Sequence, residues 1–231
     1  MNRFKKFMAG VTSAAMMLAG TAAFAMVPPD VAGTNIEEEA ELLGALGIMV
    51  GDKESGNFRP DANIRRSEFA KIAVETLGLG SVAESNKAPT KFPDVVSDHW
   101  ANGYINVAAN QGLVIGDQYN NFRPDDNVSY AEAMTVLVRM LGHEPAAESK
   151  GQWPTGHLVV GSQIGVSKNV SSQATNAPIS RATAAKMDFN SLTIKLMEQM
   201  CIRDRAYAGR GSGRNFRSGR HLTCLAQKRV R

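Results

Sequence analysis

The chain has 231 residues, room for one large domain or a few small ones, and a formal net charge of +4. That surplus suggests an anionic partner, yet the last 31 residues alone hold eight Arg and one Lys against one Asp, so the rest is acidic. The body therefore does not read as a nucleic-acid binder. Both cysteines, Cys201 and Cys224, also lie in that tail, which excludes a thiolate metal site or cysteine nucleophile from the body.

Residues 1–25 have a basic start (Arg3, Lys5, Lys6), an apolar run from about residue 7 to 19, and small residues ending Ala23-Phe24-Ala25. This is the pattern of a secretory signal, cleaved after Ala25. Gly10, Thr12 and Ser13 interrupt the run. It stays well short of the roughly 20 apolar residues a membrane span needs. No later stretch is long or apolar enough to cross a bilayer.

The body repeats itself. Gly51-Asp52, Asn57-Phe58-Arg59-Pro60-Asp61 and Asn63-Ile64-Arg65-Arg66-Ser67-Glu68 return 64 residues on, over most of this length. The second set is Gly116-Asp117, Asn121-Phe122-Arg123-Pro124-Asp125 and Asn127-Val128-Ser129-Tyr130-Ala131-Glu132. Pro29-Asp30-Val31 pairs likewise with Pro93-Asp94-Val95. A worn third copy keeps Trp153, the counterpart of Trp100, and Ile179-Ser180-Arg181-Ala182-Thr183, but neither the Gly-Asp pair nor the Phe-Arg-Pro-Asp turn. The copies span 27–79, 92–142 and 150–199, with polar linkers at 80–90 and 143–151 holding Pro89 and Pro145.

Each copy reads as helix, loop, helix, giving an all-α chain. In the second, Ser97 or Asp98 caps a helix carrying Trp100, Tyr104, Val107 and Ala108 and ending near Gly112. A loop follows, because Pro124 cannot sit inside a helix. Ser129 to Glu132 forms a capping box, and Ala133, Val136, Leu137, Met140 and Leu141 make the apolar stripe of the next helix. The first copy has Arg65 at the cap, a poor cap; the third has Ser180, with Thr183 where Glu would close the box. Helix pairs this short cannot bury their own faces, so the three copies are expected to share a core.

These residues resemble the S-layer homology repeat over most of 27–199. The resemblance rests on Phe92-Pro93-Asp94-Val95 with Trp100, the run from Gly112 to Asp117, Phe122-Arg123-Pro124, and Ile64-Arg65-Arg66-Ser67-Glu68. It implies a pseudo-threefold spindle of three helical repeats. Its grooves would bind secondary cell-wall polysaccharide, often carrying acidic pyruvylated sugars, or peptidoglycan, and hold an exported protein on the bacterial surface. It also implies that Arg66 and Arg181 line grooves. A guanidinium there can hold a carboxylate through two parallel hydrogen bonds. Tyr130 stands in that place in the second copy, where it could stack on a sugar but supplies no charge. The candidate ligand-binding set is Gly51, Asp52, Arg66, Trp100, Gly116, Asp117, Tyr130, Trp153 and Arg181. On this reading the second copy lacks its arginine and the third lacks its loop, so binding rests on one or two grooves.

Blander readings compete. Arg66 and Arg181 could be solvated first-turn residues, and Trp100 and Trp153 could be core instead of sugar platforms. Glu68 and Glu132 read as capping residues, not catalytic acids. The oxygen-rich loops around Asp52 and Asp117 lack the alternating ligands and terminal glutamate of a calcium loop, so no metal or cofactor is expected. His99, His143 and His157 have no partner at helical spacing and read as surface residues without a catalytic role. The Gly/Arg-rich tail, 200–231, reads as an appended, non-native segment beginning near Cys201-Ile202-Arg203-Asp204-Arg205. On that expectation the natural protein continues past 199. The alternatives to a simple anchor are then the targeting module of an exported hydrolase, or the start of a structural S-layer subunit with lattice neighbours.

Overall fold

The structure is a computed structural model that describes residues 27–197. The leader expected at 1–25 and the tail from 200 lie outside the described residues. Eight helices are present among them: α1 (Glu37–Ala45), α2 (Arg66–Thr76), α3 (Gly80–Ser85), α4 (Asn102–Asn110), α5 (Tyr130–Met140), α6 (Glu144–Lys150), α7 (Thr155–Ile164) and α8 (Arg181–Thr193). Among the described residues no strand forms, so the fold is all-α; three isolated bridges join Asn63 to Ser180, Arg65 to Asn127 and Ser129 to Pro178.

Those bridges mark the centre of the molecule. Ile64, Val128 and Ile179 each stand just before the cap of α2, α5 or α8, and all three are buried. A backbone outside the helical ladder but inside the core must find partners elsewhere. Here the three satisfy one another in a ring. Ile64 N donates to Ile179 O at 3.1 Å, Ile179 N to Val128 O at 3.1 Å, and Val128 N to Ile64 O at 3.0 Å.

The first amides of each following helix have no intrahelical acceptor. They reach into the loop of the next helix–loop–helix unit, always in the same direction. Arg66 and Ser67 donate to Asp126 and Pro124, Tyr130 and Ala131 to Ala177 and Thr175, and Arg181 and Ala182 to Ala62 and Pro60. The caps behave as their residue types dictate. Ser129 accepts from Glu132 N while Glu132 returns to Ser129 N, and Ser180 accepts from Thr183 N. Arg65 does not cap with its side chain, but Glu68 still accepts from Arg65 N at 2.8 Å.

One apolar cluster runs from Val31 to Met187 through all three units, the shared core that short helices require. The polar linkers at 80–90 and 143–151 contain short helices of their own, α3 and α6. Ala83 and Ala147 are buried, and their carbonyls lie where a Cβ on Gly103 or Gly156 would go, so the two short helices dock closely on α4 and α7. A six- or seven-residue helix with one buried alanine shows no apolar period to read. The helix expected from Ser97 or Asp98 instead starts at Asn102, which leaves Trp100 ahead of it and 55% exposed.

The core also holds a carboxylate. Asp188 on α8 is fully buried, with both oxygens 3.0 Å from the Thr76 hydroxyl of α2. Burial pushes its pKa up to about 7, against the lowering effect of hydrogen bonds from Thr76 and Ser191.

Candidate functional site

The two Phe-Arg-Pro turns are built alike. Arg59 and Arg123 both have φ of 59°, a left-handed conformation that non-glycine residues seldom adopt. A carboxylate clamps each turn. Asp30 accepts from Phe58 N and Arg59 N at 2.7 and 2.6 Å, and Asp94 accepts from Phe122 N and Arg123 N at 2.8 and 2.6 Å. Burial works to raise the Asp30 pKa, but the amides of Phe58 and Arg59 outweigh it and hold the carboxyl below its usual range. The Pro-Asp-Val segments thus exist to hold turns 28 residues further on.

The Gly-Asp pairs close the same loops. A Cβ on Gly51 would meet the Gly56 carbonyl, and one on Gly116 would meet the Asn120 backbone at 2.9 Å. Asp117 accepts from Tyr119 N and Asn121 N, and the Asn121 amide in particular keeps its pKa low. Asp52 instead pairs with Arg59 at 2.9 Å.

Onto each loop comes an arginine from another unit. Arg66 of α2 donates from Nε to Phe122 O at 2.7 Å, lies 5.1 Å from the Phe122 ring centroid, and pairs through Nη1 with Glu132 at 2.6 Å. Arg181 of α8 donates from Nε to Phe58 O at 2.7 Å and from Nη2 to Val50 O at 3.1 Å, 4.9 Å from the Phe58 ring. Burial draws the pKa of both below the ordinary arginine value, opposed by Glu132 for Arg66 and Glu68 for Arg181. Both stay charged, as guanidinium does in proteins.

The result is two matching arginine–loop junctions, termed grooves A and B. Groove A, a cavity of about 460 Å³, has Arg66, Asp117, Arg123, Thr135 and Trp153 among its walls, with Gly116 at the loop. Trp153 donates from its indole to Thr135 at 3.0 Å. Groove B is the corresponding meeting of Arg181 with the loop of Gly51, Asp52 and Phe58.

The sequence reading matches each arginine with the loop of its own copy, which needs correcting. Each arginine serves the loop of a different unit, so the loop holding Gly116 and Asp117 does have its guanidinium, from Arg66. Tyr130 faces the third loop, its amide on Ala177 O at 2.9 Å. That loop has neither Gly-Asp pair nor Phe-Arg-Pro turn, and Gln173 bonds Thr183 across it at 3.0 Å. Both defects fall in one interface, and the other two are whole.

Trp100 stands apart from groove A, exposed and stacked on His99 at 5.8 Å. His157 is not on the surface: it is 4% exposed, with Nε2 2.8 Å from Glu144. Sequence reasoning passed over Arg123, whose guanidinium joins Arg66 on Glu132 at 3.1 Å, and the clamp Asp94. The signal was available, since both recur at the 64-residue shift with Arg59 and Asp30.

Comparison with known proteins shows what the chain resembles. A family model described as the S-layer homology domain matches residues 29–70 and 91–134, each segment ending inside α2 or α5. The chain contains S-layer homology domains. It is 37% identical over 165 residues to a surface layer protein of Brevibacillus choshinensis, covering 71% of this chain and 14% of that protein. A cellulosome-anchoring protein of Acetivibrio thermocellus is 31% identical over 98 residues, 42% of this chain and 22% of the relative. An uncharacterized cell wall amidase of Bacillus anthracis is 32% identical over 111 residues, 44% of this chain and 20% of the relative. The chain thus spans 14 to 22% of the length of these S-layer homology relatives. The third unit lies outside the two matched segments. Among the described residues no helix is long and apolar enough to cross a membrane.

Proposed function

We propose that this chain is the non-catalytic wall anchor of an exported bacterial protein, and that it binds an acidic wall polysaccharide in grooves A and B. The observation that carries this is the shared construction of the two grooves: a half-buried arginine from one unit fixed against the Phe-Arg-Pro turn and Gly-Asp loop of another. Such a site offers oriented donors for a carboxylate. In groove A the Trp153 ring adds a flat apolar wall of the kind that packs on a sugar face. The names of the relatives place related segments in wall and surface proteins with different remaining parts, which fits an anchor more than an activity. The third unit is read as a worn copy of the same repeat, with residues 1–25 its export signal.

Co-sedimentation with purified wall sacculi tests this. The chain should pellet with intact sacculi and stay in solution once the non-peptidoglycan polymer is stripped. Unchanged pelleting after stripping would make peptidoglycan the ligand, and no pelleting in either case would sink the anchoring reading.

A further inference from the structure

Groove A has a second cationic end that groove B lacks. Glu132, Thr135, Val136 and Arg139 all line it, the spacing of one face of α5. Arg66 and Arg123 converge on Glu132 at one end. Arg139 lies seven residues on, about 10 Å along the helix axis, with Trp153 among the same walls.

Arg139 is held from behind. Glu144 of α6 accepts from its Nε at 3.1 Å and its Nη2 at 3.0 Å, and buried His157 of α7 sits 2.8 Å from the same carboxylate. Burial would raise the Glu144 pKa, but hydrogen bonds from Arg139 and His157 keep it below the usual range. Of the five guanidinium hydrogens, two are used, so three remain on a side chain that is 16% exposed and faces the cavity. A cation near a helix C-terminus is favourable on its own account. That role requires neither a face on the groove nor a buried histidine bracing the counter-ion. At the matching positions 64 residues earlier, groove B has Glu75 for Arg139 and Lys71 for Thr135, and the Lys71 ammonium lies over the Tyr104 ring, 5.6 Å from its centroid. Glu75 accepts from the Tyr104 hydroxyl at 2.9 Å.

We infer that Arg139 is a second anion-holding residue of groove A, which therefore takes an acidic oligosaccharide with two anionic groups about 10 Å apart, whereas groove B grips one. This rests on the wall-polysaccharide reading above and specifies its ligand.

The test uses the two tryptophans of the chain. Trp100→Phe leaves Trp153 as the sole emitter, so fluorescence reports groove A. Galacturonic acid and its linear oligomers up to four residues serve as probes. Affinity should rise about tenfold, ~1.4 kcal/mol, from monomer to trimer. Arg139→Gln should remove that rise. A flat length series in the parent, or a rise that survives Arg139→Gln, overturns the inference. Should Arg139→Gln fail to fold, Arg139→Lys keeps the charge without the planar fork. It should lose at least half of the rise, and an undiminished one overturns the inference. Sacculus binding with a flat series strikes this inference alone; a length-dependent series without sacculus binding strikes the wall reading alone.

Discussion

Grooves A and B and the Tyr130 interface are joined by the same backbone, and they differ only in what hangs on it. In all three, helix-start amides donate to a neighbouring loop and an apolar residue enters the central ring. Two of them add a guanidinium on the loop carbonyl, a left-handed arginine turn and a clamping aspartate. The third has a tyrosine, a glutamine–threonine bond and no clamp. The backbone connection is therefore what folding demands, and the charged additions are available for a ligand.

Removing the additions should separate the two. Arg66→Ala combined with Arg181→Ala should abolish sacculus binding. Each change strips a donor from a buried carbonyl, at about 1–3 kcal/mol, while Glu132 keeps Arg123 at 3.1 Å. Tyr130→Ala should keep binding within about twofold. Equal losses in both would erase the distinction.

Asp188 tests whether groove B depends on the seating of α8, the helix that supplies Arg181. Its folded pKa, about 7, lies above the unfolded value near 3.8. The folded state therefore binds the proton more tightly. The stability this confers is fully present below the unfolded pKa and is lost as pH rises through about 7. Thermal melts from pH 4 to 8 should show this decline, and Asp188→Asn should flatten it, on the order of a few kcal/mol at the alkaline end. A parent profile as flat as the variant's would refute it.

Asp94→Ala should cost about 1–2 kcal/mol in urea melts, since one of its two charge-assisted bonds is exposed and the other only part-buried. It should disturb Trp153 emission, whereas Asp30→Ala should leave that emission unchanged. Tyr130→Arg should add nothing measurable, within about 0.5 kcal/mol, because the loop it would reach has no turn to receive it. A gain in wall affinity would mean that the arginine alone makes a groove.

The caps, the repeat shift and the apolar stripe were legible because each is local: Ser129 with Glu132, Val136 with Met140, Ile64 just ahead of its helix. Arg66 was legible as a residue type, but its destination was not. An internal repeat says that copies are alike, and nothing in it says which copy lends a side chain to which. The helices around Ala83 and Ala147 were hidden by their shortness, and Asp188 by standing in the stripe position that Leu137 and Ala73 fill in the other units. Polar residues in such places are settled by tertiary partners, here Thr76 from a distant helix.

The third helix–loop–helix unit is the keystone of the assembly. It has no complete pocket of its own, yet its Trp153 walls groove A, its Arg181 completes groove B, and its Ile179 closes the central ring. A fragment stopping at residue 134, where the second family match ends, would keep both well-preserved loops and finish neither groove. Decay of a binding site and dispensability of the segment that carries it are, in this molecule, separate matters.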